Sequence, residues 1–325
     1  MKEIVVDKNQ QNKRFDSFLK SYLKEASGSF IYKMLRKKNI TLNDKKADGK
    51  EKLQVGDSIK IFFSDETLEK FIGTKKISEN YYASKAFDSL KIDIVYEDND
   101  VIFVSKPAGL LSQKAKNDDY SLNDWLIQYL LNKGEVTSES LLSYKPSICN
   151  RLDRNTSGLV ICAKSLDGAR VMNKMLQERT LDKYYRTIVS GELKEGIKLK
   201  GFLYKDEQKN KVFIKDKDPH DDRYSYVETE YVPIKYYQKL NMTLLEVKLI
   251  TGKPHQIRAH LSSIGYPLLG DVKYGGKKYN GINYQLLHSY RIEFPESMTD
   301  GCAQLSGKVF VAGEPSIFTE ILGKG

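Results

Sequence analysis

The N-terminal part of the chain shows helical spacing of its apolar residues first and alternating spacing afterwards. A first helix is predicted by five recurring apolar side chains: Phe15, Phe18, Leu19, Tyr22 and Leu23. Ser29 is a suitable cap for a second helix with an apolar side formed by Ile31, Met34 and Leu35. Residues 40–42 and the alternating positions 59, 61 and 63 predict a small sheet. We therefore expect residues 1–63 to form a small α/β domain.

A second, larger domain is predicted from residue 89 to residue 325. Residues 64–88 are polar and charged without clear periodicity, so we interpret them as a linker with at most a short strand. Beyond them, Ser121 and Asp124 form a capping signature for a helix, and residues 168–176 have helical spacing. Strand-like segments dominate residues 184–250. Because strands and helices do not alternate regularly, we expect an α+β fold with a mixed, mainly antiparallel sheet.

Composition narrows the class of partner. The chain has 325 residues and a formal net charge of +10, which suits a polyanion such as nucleic acid, although a lysine-rich surface also favours solubility. No apolar run approaches the roughly 20 residues that cross a bilayer, and the N-terminus lacks a signal-peptide core. Three cysteines without a CxxC pair indicate reduced thiols. We expect a cytoplasmic protein with no membrane partner.

One segment concentrates candidate chemistry. Asp153 lies between Arg151 and Arg154, and a hydroxyl-and-glycine turn at residues 156–158 leads into the apolar run 159–163. The neighbouring guanidinium groups favour the ionised carboxylate. Such a carboxylate on a turn can attack a carbon or stabilise a cationic sugar, whereas a structural salt bridge is the ordinary alternative.

The segment from residue 150 to residue 158 resembles the central motif of the RluA family of pseudouridine synthases. That motif reads His-Arg-Leu-Asp, two variable residues and Thr-Ser-Gly, and only its leading His differs here, where the chain has Asn150. Further segments resemble other family motifs in the family order: residues 106–111, 183–185, 251–260 and 286–288, the last followed by Phe294. The resemblance covers about residues 90–320.

This resemblance implies an RNA pseudouridine synthase, an isomerase that needs no cofactor. The absence of GxGxxG and GxxxxGK[ST] phosphate-binding runs agrees with that expectation. By resemblance Asp153 is the catalytic carboxylate, which either attacks the sugar or removes a sugar proton. Tyr185 stacks on the target base and helps to deprotonate C5, with Tyr184 as a rival that the Lys-x-Tyr spacing disfavours. Arg258 pairs with Asp153 from the start of a predicted helix.

Other residues are expected to support this chemistry. Arg151 lies in the same turn as Asp153, and we expect it to occupy the space left when the target uridine leaves its stack. Asn150 is expected to hold the Asp153 turn by hydrogen bonding, and Lys106, in the first motif, to support the site from behind. His255, His260 and His288 invite a metal hypothesis. However, the first two diverge on a helix and no cysteine or acidic cluster accompanies them, so we expect no metal site.

The N-terminal domain resembles the S4 RNA-binding domain. Lys33, Arg36 and Lys37 share one helix face, which can lie on phosphates. Family members that join an S4-like domain to this catalytic domain modify large-subunit ribosomal RNA, so the expected partner is that RNA, bound by a monomer. Two other functions stay open: a catalytically silent RNA-binding or ribosome-assembly factor, and a hydrolytic glycosidase, which would need a second placed carboxylate. The RNA product separates them as isomer, unchanged uridine or released uracil.

Overall fold

The computed structural model describes residues 1–72, 90–116 and 118–324, and it contains two separate sheets. The first is a three-stranded antiparallel sheet in the order β1-β3-β2, formed by β1 (Lys2–Val5), β2 (Ile40–Leu42) and β3 (Ser58–Ile61). Two helices pack on it, α1 (Phe15–Tyr22) and α2 (Gly28–Arg36). Their buried residues include Phe15, Phe18, Leu19 and Ile31, which confirms the predicted helices.

The start of α2 differs from the prediction by two residues. Ser27, not Ser29, is the N-cap: its backbone is extended, and its side chain accepts a hydrogen bond of 3.2 Å from the Phe30 backbone N–H. Ser29 already lies inside the first turn. The interpretation of Ser29 as the cap was therefore wrong, because Gly28 and Ser29 both adopt helical structure despite their low helix propensity.

The structure of residues 65–72 contradicts part of the linker prediction. They form a helix, α3 (Asp65–Ile72), which buries Leu68 and Ile72 in the core of the N-terminal sheet and its helices. These two side chains are four residues apart and therefore share one helix face. The rest of the predicted linker, residues 73–88, lies outside the described residues.

The remaining strands form one sheet of eleven strands with a nine-strand path in the order β10-β9-β11-β12-β8-β13-β7-β5-β4, while β14 pairs with β13 and β6 with β7. Among the described strands only β7 and β13 pair in parallel, so the predicted mixed, mainly antiparallel sheet is confirmed. The strands are β4 (Asp93–Glu97), β5 (Val101–Lys106), β6 (Ser147–Ile148), β7 (Ser157–Ala163), β8 (Asp182–Ser190), β9 (Ile197–Asp206), β10 (Lys211–Lys215), β11 (Tyr224–Tyr237), β12 (Met242–Leu249), β13 (Leu287–Glu293) and β14 (Val309–Val311).

Helices cover this sheet and position the central loops. They are α4 (Leu122–Asn132), α5 (Ser140–Ser143), α6 (Leu166–Glu178), α7 (Gln256–Ser263) and α8 (Ser316–Leu322). The predicted capping box of Ser121 and Asp124 starts α4. Apolar residues of α4 and α7 share a core with strand residues from the middle of the sheet, including Tyr185 and Val247. None of the helices in the described part of the chain is long and apolar enough to cross a bilayer.

The two sheets are joined through α5 and the residues around it. Glu139 accepts hydrogen bonds of 2.9 Å from both Lys2 and Tyr22, and Gln10 donates to Ser143, also at 2.9 Å. Leu142 is part of the N-terminal core. The N-terminal unit is therefore docked directly on the larger one by specific contacts.

Candidate active site

Asp153 lies in the loop between β6 and β7, and the loop is pinned on both sides of the carboxylate. The Thr156 N–H donates to the Asp153 carbonyl at 3.0 Å and closes a turn. On the other side, the Ser112 hydroxyl accepts from the Leu152 N–H at 3.0 Å and donates to the Leu152 carbonyl at 2.8 Å. The residue before Asp153 is thus held by the segment that follows β5, and the residues after it are held by a turn within the loop.

Lys106 also attaches the Asp153 loop to the segment that follows β5. Its buried ammonium group donates to three carbonyl oxygens, of Pro107 at 3.0 Å, Leu110 at 2.8 Å and Arg154 at 3.0 Å. Burial lowers the pKa of Lys106 to about 7, and the charge of Asp153 opposes that shift. An ammonium has three N–H donors, so the three carbonyls use all of them. Lys106 therefore ties its own turn to the residue that follows Asp153.

The cation at Asp153 is not one of its sequence neighbours. Arg154 turns away and donates through Nε to the Gly109 carbonyl at 3.0 Å, and Arg151 is exposed. The expectation that both guanidinium groups flank the carboxylate was wrong for Arg154, because its hydrogen bond to Gly109 holds that side chain elsewhere. Instead, Nη1 of Arg258 lies 3.0 Å from Oδ2 of Asp153, whose side chain is 29% exposed and open to a ligand.

Arg258 is itself fixed by a second carboxylate that the sequence did not reveal. Its Nε and Nη2 donate to the two oxygens of Asp271, at 2.7 and 2.8 Å, in a bidentate pair. Burial opposes the charge of the guanidinium, but these hydrogen bonds and Asp153 raise the pKa of Arg258. Arg258, whose side chain is 7% exposed, therefore presents a rigid positive charge to Asp153.

Tyr185, on β8, contributes a buried phenol near the same carboxylate. Burial raises the pKa of Tyr185 to about 12, a hydrogen bond with Ser289 opposes the rise, and the charge of Asp153 adds to it. Tyr184 differs, because the Arg291 guanidinium carbon lies 4.0 Å from the centre of its ring. Of the two neighbouring tyrosines, the structure places Tyr185 where the Asp153 charge acts on it.

The backbone at position 158, the end of the Thr-Ser-Gly turn, requires a glycine. Its φ is +105°, and a Cβ built on it would lie 2.1 Å from the Ser289 carbonyl oxygen. Only glycine lets β13 approach β7 so closely, and on its other edge β13 pairs with β8, where Ser289 is opposite Tyr185. The neighbouring hydroxyl of Ser157 is hydrogen-bonded to His288 Nδ1 at 2.9 Å.

The other predicted residues occupy distinct places. Asn150 Oδ1 accepts a hydrogen bond of 2.7 Å from the Ile161 N–H, which ties the segment before Asp153 to β7. Lys33, Arg36 and Lys37 are exposed on α2, in the N-terminal unit, and the structure does not bring them to the described residues around Asp153. Within the described residues no group of three His, Cys, Asp or Glu side chains is placed to hold a metal ion.

His255 is closer to the carboxylate than the sequence suggested. It precedes α7, and its Nε2 is 3.8 Å from Oδ2 of Asp153. The helix α7 starts at Gln256, directly after His255. From the sequence, His255 was considered as a metal ligand, and its position in the same segment as Arg258 was the signal that it belongs to the site.

Comparisons with known proteins agree with this arrangement. A family model described as RNA pseudouridylate synthase matches residues 100–263. An uncharacterised RNA pseudouridine synthase of Mycoplasma capricolum is 32% identical over 319 residues, which cover 96% of this chain and 97% of the relative. Ribosomal large subunit pseudouridine synthase C of Vibrio vulnificus is 28% identical, with 91% and 89% covered.

A solved structure shares the fold. Human RNA pseudouridylate synthase domain containing 4 superposes with a TM-score of 0.58 at 20% identity, covering 76% of this chain and 96% of that one. The matching family model and the full-length relatives show that the chain belongs to the RluA family of RNA pseudouridine synthases.

Proposed function

We propose that this enzyme converts uridine to pseudouridine in large-subunit ribosomal RNA, with Asp153 as the catalytic carboxylate and without a cofactor. The main support for the proposal is the ion pair between Arg258 and one oxygen of Asp153, near the buried Tyr185. Ribosomal RNA is supported by the full-length similarity to synthase C of Vibrio vulnificus, which is named for the ribosomal large subunit. Such an enzyme acts in the cytoplasm, where that RNA is made and assembled in bacteria.

The carboxylate geometry suits both chemical routes. Attack on C1′ of the sugar and removal of a sugar proton each need an ionised carboxylate with a free oxygen. Arg258 stabilises the ionised form through Oδ2, and no described residue donates a hydrogen bond to Oδ1. Oδ1 is therefore the atom that we assign to the sugar.

Tyr185 is assigned to the base. A phenol whose pKa is raised to about 12 stays protonated at neutral pH, so it can take the C5 proton only while it passes its own proton on. The net destination of the proton is N1 of the uracil, which gives up its bond to the sugar and must gain a hydrogen for pseudouridine to form. The ring of Tyr185 provides the surface on which the turning uracil stacks.

The N-terminal unit is assigned to RNA binding. We propose that residues 1–63 form the core of an S4-like domain, that residues 89–325 form the catalytic domain, and that Lys33, Arg36 and Lys37 contact phosphates. We propose that Arg151, exposed on the Asp153 loop, fills the stack that the target uridine leaves and so offsets an unstacking cost of about a few kcal/mol. The enzyme is proposed to act as a monomer.

Mapping of pseudouridines tests the proposal. RNA from cells that lack the gene is compared with RNA from the same cells carrying the wild-type gene or the Asp153→Asn variant. We expect at least one large-subunit position to lose pseudouridine without the gene and to regain it with wild type only. Restoration by Asp153→Asn would remove Asp153 from the mechanism, and unchanged ribosomal RNA would contradict the substrate.

A further inference from the structure

A hydrogen-bond chain runs from the sheet to His255. The Val212 backbone N–H donates to the Tyr274 hydroxyl oxygen at 2.9 Å, and the same hydroxyl is 2.8 Å from Nδ1 of His255. The hydroxyl hydrogen has no other acceptor among the described residues, so Tyr274 donates it to Nδ1. Because a neutral imidazole carries one proton, that proton lies on Nε2.

Burial and backbone conformation support a dedicated role for this imidazole. Its side chain is 11% exposed, and burial lowers the pKa of His255 although the charge of Asp153 opposes the shift. The residue has a φ of +53°, in the left-handed region that non-glycine residues seldom adopt. Such conformations cost energy and are concentrated at functional sites.

The Nε2–H of His255 and the Arg258 guanidinium converge on the same oxygen. Nη1 donates to Oδ2 of Asp153 at 3.0 Å, whereas Nε2 lies 3.8 Å from the same oxygen, outside direct hydrogen-bond distance. Nε and Nη2 of the guanidinium donate to Asp271. Two groups on one helix start therefore face one oxygen and leave the other free.

We propose that His255 is a positioning residue: as a neutral imidazole, oriented by Tyr274, it restrains Oδ2 of Asp153 through its Nε2–H so that Oδ1 points at the sugar. This inference rests on the proposed catalytic role of Asp153. It assigns no proton transfer to His255, because the ring keeps the same tautomer throughout.

Single-turnover rates test the restraint, with RNA from cells that lack the gene as substrate. For His255→Leu we expect a rate about 10- to 100-fold lower with unchanged RNA affinity, because a misplaced nucleophile slows the chemical step. His255→Gln should keep most of the rate, since its amide N–H can reach the place of Nε2–H. His220→Leu is the matched control: His220 also has a positive φ, of 50°, but is exposed, and this variant should react like wild type.

Two kinetic outcomes would overturn the inference. One is a wild-type rate for His255→Leu in a preparation in which Asp153→Asn is inactive. The other is equal rates for His255→Gln and His255→Leu, which would show that the N–H has no part in the effect. If Asp153→Asn itself stays active, the catalytic assignment fails instead.

Nitrogen NMR of histidine-labelled enzyme tests the tautomer without RNA, so it does not depend on the proposed function. The His255 signal, identified by its loss in His255→Gln, should show a neutral ring protonated at Nε2 at pH 7. Tyr274→Phe removes the hydroxyl donor and should shift the ring toward a mixture of tautomers. A ring protonated at Nδ1, or an imidazolium, would overturn the inference.

Discussion

At the scale of single residues, Arg258 serves two carboxylates that lie on either side of it. Asp271 occupies the bidentate side of the guanidinium, and Asp153 receives the remaining Nη1. Because Asp271 is almost completely buried, its charge is not screened by solvent, and the pair orders Arg258 before any substrate arrives. The charge of Asp271 should therefore matter both for stability and for catalysis.

Asp271→Asn should destabilise the enzyme and slow the reaction. The amide cannot accept both N–H groups and leaves the buried guanidinium partly uncompensated, which costs about 3 kcal/mol of unfolding free energy. Urea unfolding measures this loss. Asp167→Asn, which breaks an exposed pair with Arg170, is the control and should cost less than about 1 kcal/mol. Equal losses in both variants would contradict the role of Asp271.

Asn150 is the one residue of the central motif that differs from the family pattern, and substitutions at this position test its role. Its Oδ1 accepts from the Ile161 N–H, so Asn150→Ala should leave that donor unpaired and cost on the order of 1 kcal/mol. Asn150→His offers another acceptor and should be tolerated. Unfolding and single-turnover rates on the same RNA measure both. A rate raised by orders of magnitude in Asn150→His would mean that the natural chain is a weakened enzyme.

At the scale of elements, the active site depends on the pairing of β7 with β13. These strands pair in parallel at only two positions, His288 with Ser157 and Ser289 with Gly158. The contact is possible because Gly158 has no side chain, and on its other edge β13 pairs with β8, where Ser289 is opposite Tyr185. A change in the pairing of β7 with β13 should therefore reach Tyr185, the residue proposed to act on the base, through the backbone of β13.

Gly158→Ala should be strongly destabilising. The new Cβ would meet the Ser289 carbonyl oxygen, and the backbone is in a conformation that L-residues avoid, so we expect a loss of about 2–4 kcal/mol. Gly56→Ala is the matched control, because Gly56 has a φ of +92° but no atom within 4 Å of the built Cβ. It should cost about 1–2 kcal/mol from the backbone conformation alone. Thermal unfolding of both variants separates the clash from the strain.

At the scale of the whole molecule, the sequence predicted the elements and the motif residues better than the contacts between them. The helices at Phe15 and Leu122 and the antiparallel sheet follow from local spacing and capping, which short segments contain. The pairing of Arg258 with Asp153 came through the family motifs. Asp271 and Tyr274 were missed because their role arises only when distant segments meet, and no periodicity records that meeting. Residues 65–72 were misjudged because only three apolar side chains, Leu68, Phe71 and Ile72, mark that short helix in a charged segment.

The basic face of α2 gives a prediction for the intact enzyme. Replacing Lys33, Arg36 and Lys37 by glutamine should reduce the slope of log affinity against log salt by about 2–3, because each phosphate contact releases counterions. Fluorescence anisotropy with ribosomal RNA at several salt concentrations measures the slope. Glutamine at the exposed Lys116, Lys239 and Lys324 controls for net charge. An equal decrease in both triple variants would show that the α2 face has no special part in binding.

Two buried histidines should make the folded protein less stable at acidic pH. Burial lowers the pKa of both His260 and His288 to about 4, and neither Nε2 has a partner among the described residues. The unfolded chain binds these protons near pH 6.5, so stability is complete above that pH and is lost as the pH falls toward 4. Each histidine accounts for up to about 3 kcal/mol. Urea unfolding between pH 7 and 4.5 should show this decrease, and His288→Asn should make it shallower.

The docking of the N-terminal unit on α5 has a geometric consequence for target choice. Glu139 and Ser143 hold that unit through four hydrogen bonds, from Lys2, Tyr22, Gln10 and Lys13, so its basic helix and the Asp153 loop keep a constant separation. If the basic helix contacts phosphates as proposed, only uridines at one distance from those phosphates along the folded RNA can reach Asp153. The enzyme would then select its target by measuring length, and nucleotides far from the modified base would set its specificity.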